Sequence, residues 1–296
     1  MQSYPTIALE KVHEMAAKAK AEPSLAVAFQ GAPGANSHIA CSRYDTAALP
    51  MPCFSFADAI DAVRHGSADR AIIPIENSQH GRVADIHFLL PESGLSIIAE
   101  TFLPIHHCLM ARGEGPHKEV LSHPQALGQC RHYLKQHGMT PIAYADTAGA
   151  AARVAESDEL SLAAIAPEMA AELYGLQIIA KNIEDADHNM TRFVVLSRIG
   201  AAPDEDQPVM TTLTFEVKSI PAALYKALGG FATNNVNITK LESYQRGGSF
   251  SAAEFYADIE GMPGDPSVDR ALEELAFHSK WVRLLGSYPR ARERGR

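Results

Sequence analysis

From about Ser24 to Ser197 the chain alternates short apolar runs with helical stretches, and this alternation narrows the fold more than any other feature. Strand, helix, strand in repetition builds sheets covered by helices. Leu25 to Phe29 is an apolar run ending in Gln30-Gly31-Ala32-Pro33-Gly34, and Asn36-Ser37-His38 then reads as a capped helix start. Ser55 reads as the cap of a helix over Phe56 to Val63, and Arg70 to Ile75 as a buried strand. Gly94 to Glu100 and Ile105 to Met110 read as further strands. A second round follows. Strands are expected at Val120 to Ser122, Ile142 to Tyr144 and Ser161 to Ala166. Helices are expected at Gln125 to Gln136, from Thr147 through Val154, and at Glu168 to Tyr174, stopped by Gly175.

The composition then changes. Ile199 to Pro208 is polar, acidic and proline-bearing, which marks a linker. Beyond it come strand Thr211 to Val217, helix Ala222 to Asn234, strand Asn237 to Tyr244 and a turn at Gly247-Gly248. Strand Ala252 to Glu260, helix Pro266 to Ala276 and strand Trp281 to Gly286 complete a βαββαβ order of ferredoxin-like type. The 296 residues thus divide into a helical arm (1–23), an α/β domain (24–200), a linker (201–209), a βαββαβ domain (210–290) and a tail (291–296).

Several function classes are excluded early. A formal net charge of −9 leaves no basic stripe for nucleic acid, so an anionic ligand must be held by local donors and single cations. No run of apolar residues is long enough for a membrane span, and Met1 to Glu22 carries charges where a secretory signal needs an apolar stretch. The four cysteines, Cys41, Cys53, Cys108 and Cys130, form no CxxC pair and read as reduced thiols of a cytoplasmic protein. His106-His107-Cys108 invites a metal, but adjacent residues of a strand point to opposite faces and no second ligand pair follows.

Four motifs carry a specific resemblance. Pro74-Ile75-Glu76-Asn77-Ser78 with Gly81 and Val83, Ser122-His123-Pro124-Gln125-Ala126-Leu127, and Asn189-Met190-Thr191-Arg192-Phe193 resemble the signature segments of prephenate dehydratases. Gly31 to His38 is similar to that family's glycine turn, with Ala35 where threonine is commoner. The C-terminal region resembles an ACT regulatory domain closing in Leu285-Gly286-Ser287-Tyr288-Pro289. The resemblance implies a two-lobed α/β catalytic domain like a periplasmic binding protein, with a ferredoxin-like ACT domain attached. Lobe 1 would be about 24–100 and 181–200, and lobe 2 about 101–180. It also implies conversion of prephenate to phenylpyruvate on the route to phenylalanine.

That reaction expels the ring carboxylate as carbon dioxide and the C4 hydroxyl as water. It aromatises the ring and needs neither an outside electron acceptor nor a carbon-bound proton removed, so no cofactor and no metal are expected. The site must hydrogen-bond or protonate the leaving hydroxyl and hold the carboxylates. On an extended segment Thr191 and Phe193 share a face, Thr191 meeting the C4 oxygen and Phe193 the ring, while Arg192 reaches substrate only at a bend. Glu76 is one candidate for the acid; a role tying loop amides together stands beside it. Asn77, Ser78 and Asn189 are candidate substrate donors. Ser122 and Gln125 at one strand-to-helix turn, and Ser37 with the amides after Gly34 at another, would seat anions from two lobes.

In the ACT region the family binds phenylalanine between subunits, which implies a homodimer or homotetramer. The expected effector residues are Ala222, Ala223, Leu224, Asn237, Glu242 and Ser243. Here the chain departs from the family. It has Pro221-Ala222-Ala223-Leu224 for a glycine-alanine-leucine turn, and Glu242-Ser243-Tyr244-Gln245 for Glu-Ser-Arg-Pro. The extra methyl and the lost guanidinium predict weakened or altered amino-acid binding. Two rivals stand beside this reading: an arogenate dehydratase, and a solute-binding protein that closes on a ligand without chemistry.

Overall fold

A computed structural model describes residues 4–83, 86–204, 206–245 and 254–295. In chain order the first elements are α1 (Thr6–Ala21), β1 (Ala26–Gln30), α2 (Asn36–Tyr44), β2 (Leu49–Cys53), α3 (Phe56–Arg64), β3 (Arg70–Asn77), β4 (Gly81–Arg82), α4 (Ile86–Ser93) and β5 (Ser96–Pro104). Then come β6 (Cys108–Ala111), β7 (Glu119–Ser122), α5 (Pro124–Gln129), α6 (Arg131–Gln136), β8 (Thr140–Ala143), α7 (Thr147–Glu156), β9 (Leu162–Ala166), α8 (Glu168–Tyr174), β10 (Gln177–Ala180) and β11 (Met190–Ser197). The last group is β12 (Val209–Val217), α9 (Ala223–Thr233), β13 (Ile238–Tyr244), β14 (Glu254–Glu260), α10 (Pro266–His278) and β15 (Ser279–Pro289), with a short 3-10 turn Arg292–Gly295.

Three sheets organise these elements. The first runs β2-β1-β3-β11-β5, with β4 paired to β3; the second runs β10-β6-β9-β7-β8. The third, β13-β14-β12-β15, is the antiparallel ferredoxin-like order. The chain leaves the first sheet after β5 and returns at β11. At that double crossing Ile105 N donates to Asn189 O (2.8 Å) and Ile183 N to His107 O (3.0 Å). By compactness the chain divides into Met1–Arg82 with Phe102–Phe193, and Val83–Thr101 with Val194–Arg296, so α4 and the start of β5 group with the C-terminal region.

Local chemistry accounts for many boundaries. Ser55 and Asp58 form a reciprocal capping box at α3, and Gly175 ends α8 at φ 68°. Others differ from the sequence reading. The helix expected over 125–136 is two short helices meeting at Cys130, and the strand expected from Ile105 starts only at Cys108. Asn36 does not cap α2: Ala35 occupies that position, and Gly34 N donates to His38 Nδ1 at 3.1 Å. β2 carries Pro50 and Pro52 and is tolerated because it is an edge strand. The Gly247-Gly248 turn and the start of the strand expected at Ala252 lie outside the described residues.

The N-terminal arm is a docked helix. α1 packs on β1 and β2 of the first sheet and on α7 of the second. Tyr4 stacks on Phe54 (4.9 Å), Ile7 N donates to Glu156, and Ala8 is buried in the core around α7 and β9. The two lobes also touch at the glycine turn. Tyr174 Oη donates to Pro33 O (2.7 Å), and Gly34, at φ 92°, comes so close to Ala170 that a Cβ would lie 2.9 Å from its Cα.

In the second unit Arg283 donates to Pro91 O, and a Cβ at Gly286 would collide with the Ile97 backbone. Arg294, beyond the last strand, folds back to meet Glu100 and Asp258, whose side chains are fully buried. The polar face of the third sheet is thereby linked to α4, β5 and the tail; its other face packs Leu213, Phe215, Phe231, Ala257 and Leu275 against α9 and α10.

Candidate functional site

The site lies where β3 ends beside the start of β11. Asn77, the last residue of β3, is its hub. Asn77 Nδ2 donates to Asn189 Oδ1 (2.7 Å) and Thr191 Oγ1 (3.0 Å), with Met190 O at 3.3 Å. Asn77 Oδ1 accepts from the amides of Gln79 (3.0 Å) and His80 (3.2 Å), which folds the following loop over the side chain. An amide nitrogen only donates, so Thr191 Oγ accepts from Asn77 and its own proton is left to point elsewhere. That is the arrangement needed to hydrogen-bond a departing hydroxyl.

Asn189 supplies a second donor. It is 3% exposed, its Oδ1 is taken by Asn77, and its Nδ2 is buried with no hydrogen-bond partner among the described residues. A buried orphan donor costs about 1–3 kcal/mol, which a ligand oxygen would relieve. Arg192 is 2% exposed, and its Nη1 lies 3.4 Å from Glu76 Oε1. This contact pairs the guanidinium with Glu76 across the neighbouring strands β3 and β11.

Other expected residues have different placements. Phe193 is 1% exposed and belongs to the core of the sheet, so it does not face an open ring site. Ser78 Oγ donates to His188 O (3.0 Å) and accepts from Met190 N (2.9 Å), so it ties β3 to β11. Ser122 is fully buried and its Oγ donates to Ile165 O (2.6 Å), so its hydroxyl proton is spent within the second sheet. Gln125 is exposed, and its amide donates to His123 Nδ1 (3.3 Å). Ser37 sits on α2, 8% exposed. The amides after the glycine turn are partly spent, Gly34 N on His38 and Ala35 N on Ala32 O.

One residue the sequence reading missed is Gln129. Buried at the end of α5, it reaches from the second lobe to the loop of the first: its Nε2 lies 3.2 Å from His80 Nδ1 and 3.4 Å from Gln79 Oε1. Its Oε1 meets His107 Nε2 at 2.7 Å. The available signal was spacing, since Gln129 lies one helical turn beyond Gln125 on the same face. His106 and His107 precede β6 rather than lying on it. His106 Nδ1 and the amide of His107 both bind Glu184 (2.7 and 2.9 Å). Among the described residues no three His, Cys, Asp or Glu are grouped to hold a metal. The four cysteines are free and buried; desolvation pushes the thiols of Cys41 and Cys53 up to about 12 and raises those of Cys108 and Cys130 as well.

The expected effector residues fall into two groups. Ala222 opens α9 at φ 61°, Ala223 is buried, and Leu224 packs on the domain core. Ser243 is exposed. Glu242 meets Lys240 Nζ (2.6 Å) and His87 Nε2 (3.3 Å), and Tyr244 is buried edge-on against Phe88 (5.5 Å). Asn237 does not join them. α9 has 11 residues and is therefore about 16 Å long. Asn237 follows its C-terminal end and donates from Nδ2 to Glu260 Oε2 (3.2 Å), so one small molecule cannot span from Ala222 to Asn237 in the same chain.

Comparison with known proteins identifies the family. The prephenate dehydratase family model matches residues 27–200. The chain is 46% identical over 267 residues to a bifunctional N-acyl-homoserine lactone acylase/prephenate dehydratase of Komagataeibacter europaeus, covering 89% of this chain and 95% of that protein. It is 37% identical over 281 residues to the chloroplastic arogenate dehydratase/prephenate dehydratase 1 of Arabidopsis thaliana, covering 89% and 71%. The structure of prephenate dehydratase from Arthrobacter aurescens in complex with L-Phe superposes with a TM-score of 0.81 at 32% identity, covering 90% of each chain. With its two-lobed α/β region and ferredoxin-like C-terminal domain, the chain belongs to the prephenate dehydratase family of lyases, enzymes acting on prephenate or arogenate.

Proposed function

We propose that this enzyme takes prephenate itself and expels carbon dioxide and water together, giving phenylpyruvate. The ring C–carboxylate bond breaks and its electron pair enters the ring. The C4–oxygen bond breaks in the same direction, and the hydroxide leaves as water after taking one proton. The observation that carries this reading is Asn77 donating to Thr191 Oγ, which aims the Thr191 proton away from Asn77. Asn189 Nδ2 is the second donor, and Arg192 and Glu76 brace the strand that presents both. Threonine is too weak an acid to be the proton's origin, so Thr191 acts as donor to the leaving oxygen within a relay.

Thr191→Val keeps shape and β-propensity while deleting the hydroxyl, and kcat should fall by about 10²–10⁴-fold, with Thr191→Ser retaining most of it. Near wild-type turnover in the valine variant would sink the role. The same assay, run with arogenate, separates the substrates by the product formed, phenylpyruvate or phenylalanine. Product from neither would defeat the enzymatic reading and favour a binding protein. The acylase named in the Komagataeibacter relative would need an activated nucleophile. Thr191 faces an amide that cannot accept its proton, and the four thiols are buried and raised, so the geometry favours dehydration.

Because the elimination is redox-neutral, dialysis against a chelator should leave activity intact. For the ACT domain we infer an aromatic amino acid effector bound near Ala222 and Ser243 in a cytoplasmic homodimer or homotetramer. Binding should be weaker than an arginine-bearing site would give, since Tyr244 is turned toward Phe88. Titration calorimetry with phenylalanine, tyrosine and tryptophan tests this; tight phenylalanine binding with strong inhibition would show the two substitutions to be compensated.

A further inference from the structure

His107 is 2% exposed and is used by no step of the elimination. Burial lowers its pKa, so it is a neutral imidazole with one N–H. Its Nε2 lies 2.7 Å from Gln129 Oε1, and an amide oxygen only accepts, so Nε2 carries the proton. Nδ1 is then a bare lone pair. It is buried and without a partner among the described residues, which is a smaller penalty than an orphaned N–H would be.

This bond fixes which end of Gln129 faces the first lobe. With Oε1 anchored on His107, the NH₂ group points to the loop, 3.2 Å from His80 Nδ1 and 3.4 Å from Gln79 Oε1. An NH₂ group only donates, so Nδ1 of His80 must accept. Asn77 Oδ1 lies 3.3 Å from the same nitrogen but already receives the amides of Gln79 and His80, and does not require the imidazole proton. Neutral His80 therefore carries its proton on Nε2. His80 is exposed and lies on the loop folded by Asn77, the residue that also donates to Thr191.

We propose that His107, acting through Gln129, is a positioning residue that locks His80 in the Nε2–H tautomer, so that His80 presents a donor rather than a lone pair to an anionic substrate. The chain His107–Gln129–His80, buried at its first two members and exposed at His80, thus joins the second lobe to the loop that Asn77 folds and sets the sign of one substrate contact. The opposite tautomer would place a lone pair toward a carboxylate or hydroxyl oxygen and lose that contact. The functional part of this inference rests on the dehydratase reading; the tautomer part does not.

The test is ¹⁵N NMR of the histidine rings of the full-length protein at alkaline pH, where imidazoles are neutral, with wild type, His107→Phe, Gln129→Leu and the double variant. Expected is an Nε2–H pattern for His80 in wild type that moves toward a tautomer mixture in each single variant. kcat/KM should fall about 10-fold, as for one lost hydrogen bond, in each single variant. The double variant should be no worse than Gln129→Leu alone, because His107 acts only through Gln129. His107→Gln, which keeps a donor toward Oε1, should recover both signals. An unchanged His80 tautomer in folded His107→Phe overturns the proposal, as do additive losses in the double variant. Inactivity of wild type toward both prephenate and arogenate would instead defeat the dehydratase reading, while the ring shifts would still decide the tautomer.

Discussion

Arg294→Met should destabilise the second unit far more than its place near the end of the chain suggests. The guanidinium donates from Nε to Glu100 Oε1 (2.8 Å) and from Nη2 to Glu100 Oε2 (2.7 Å). It also reaches Asp258 Oδ2 (3.3 Å) and Thr239 Oγ1 (2.9 Å). Both carboxylates have fully buried side chains and Arg294 itself is 11% exposed. Removing the guanidinium takes one ion-pair partner from each of two buried carboxylates, and breaking a buried pair in this way costs about 3–5 kcal/mol. Arg290 is an internal control. Its bond to Glu260 is as short, 2.8 Å, but the two side chains are 33% and 36% exposed, so Arg290→Met should cost under about 1 kcal/mol. Trp281 is the single tryptophan and lies on β15, so its fluorescence during urea unfolding reports this unit. Adding Glu100→Gln to Arg294→Met should restore part of the loss. If Arg294→Met shifts the unfolding free energy no more than Arg290→Met does, the guanidinium is not a structural clasp and the reasoning fails.

Three further outcomes follow from other parts of the molecule. Burial depresses His38 from 6.5 to about 4, which is worth about 3 kcal/mol. That stability is whole above pH 6.5, erodes as pH falls because the unfolded chain binds the proton first, and is gone near pH 4; a His38→Asn chain, which keeps an acceptor for Gly34 N, should show a flatter acid limb in urea midpoints between those values. Ala222 sits at φ 61°, a conformation costing an alanine about 1 kcal/mol, so Ala222→Gly should raise the thermal midpoint; a lowered midpoint would refute the strain. Deleting residues 1–22, or the milder Tyr4→Ala, removes contacts that α1 makes with both lobes, and spin labels on α3 and α8 should report a broader distance distribution with a raised KM.

What could be read from the sequence, and what could not, divides along sequence distance. Ser55 with Asp58 and the stop at Gly175 are signals complete within a few residues, and the alternation they punctuate was enough for the α/β class. Glu76, Asn77 and Thr191 could be put forward together because the two short motifs that hold them kept their local spelling, although Asn77 and Thr191 are 114 positions apart. Failures came where a residue's role depends on a partner that no local pattern names. Ser122 and Asn189 are both polar residues of short motifs, and nothing nearby in sequence separates them. The structure does so by hydrogen-bond accounting: Ser122 Oγ is consumed by Ile165 O, whereas Asn189 Nδ2 is left over. Arg294 and Glu100, 194 positions apart, could not have been paired by any periodicity. Gln129 is the instructive intermediate. Its helical spacing from Gln125 was visible, but the reason that face matters is the histidine it meets, and His107 had been weighed only as half of a metal motif. A polar residue in such a site acquires its role from the donors and acceptors left unspent after the fold has taken its share, so the functional reading sharpens only when each buried N–H and C=O has been assigned.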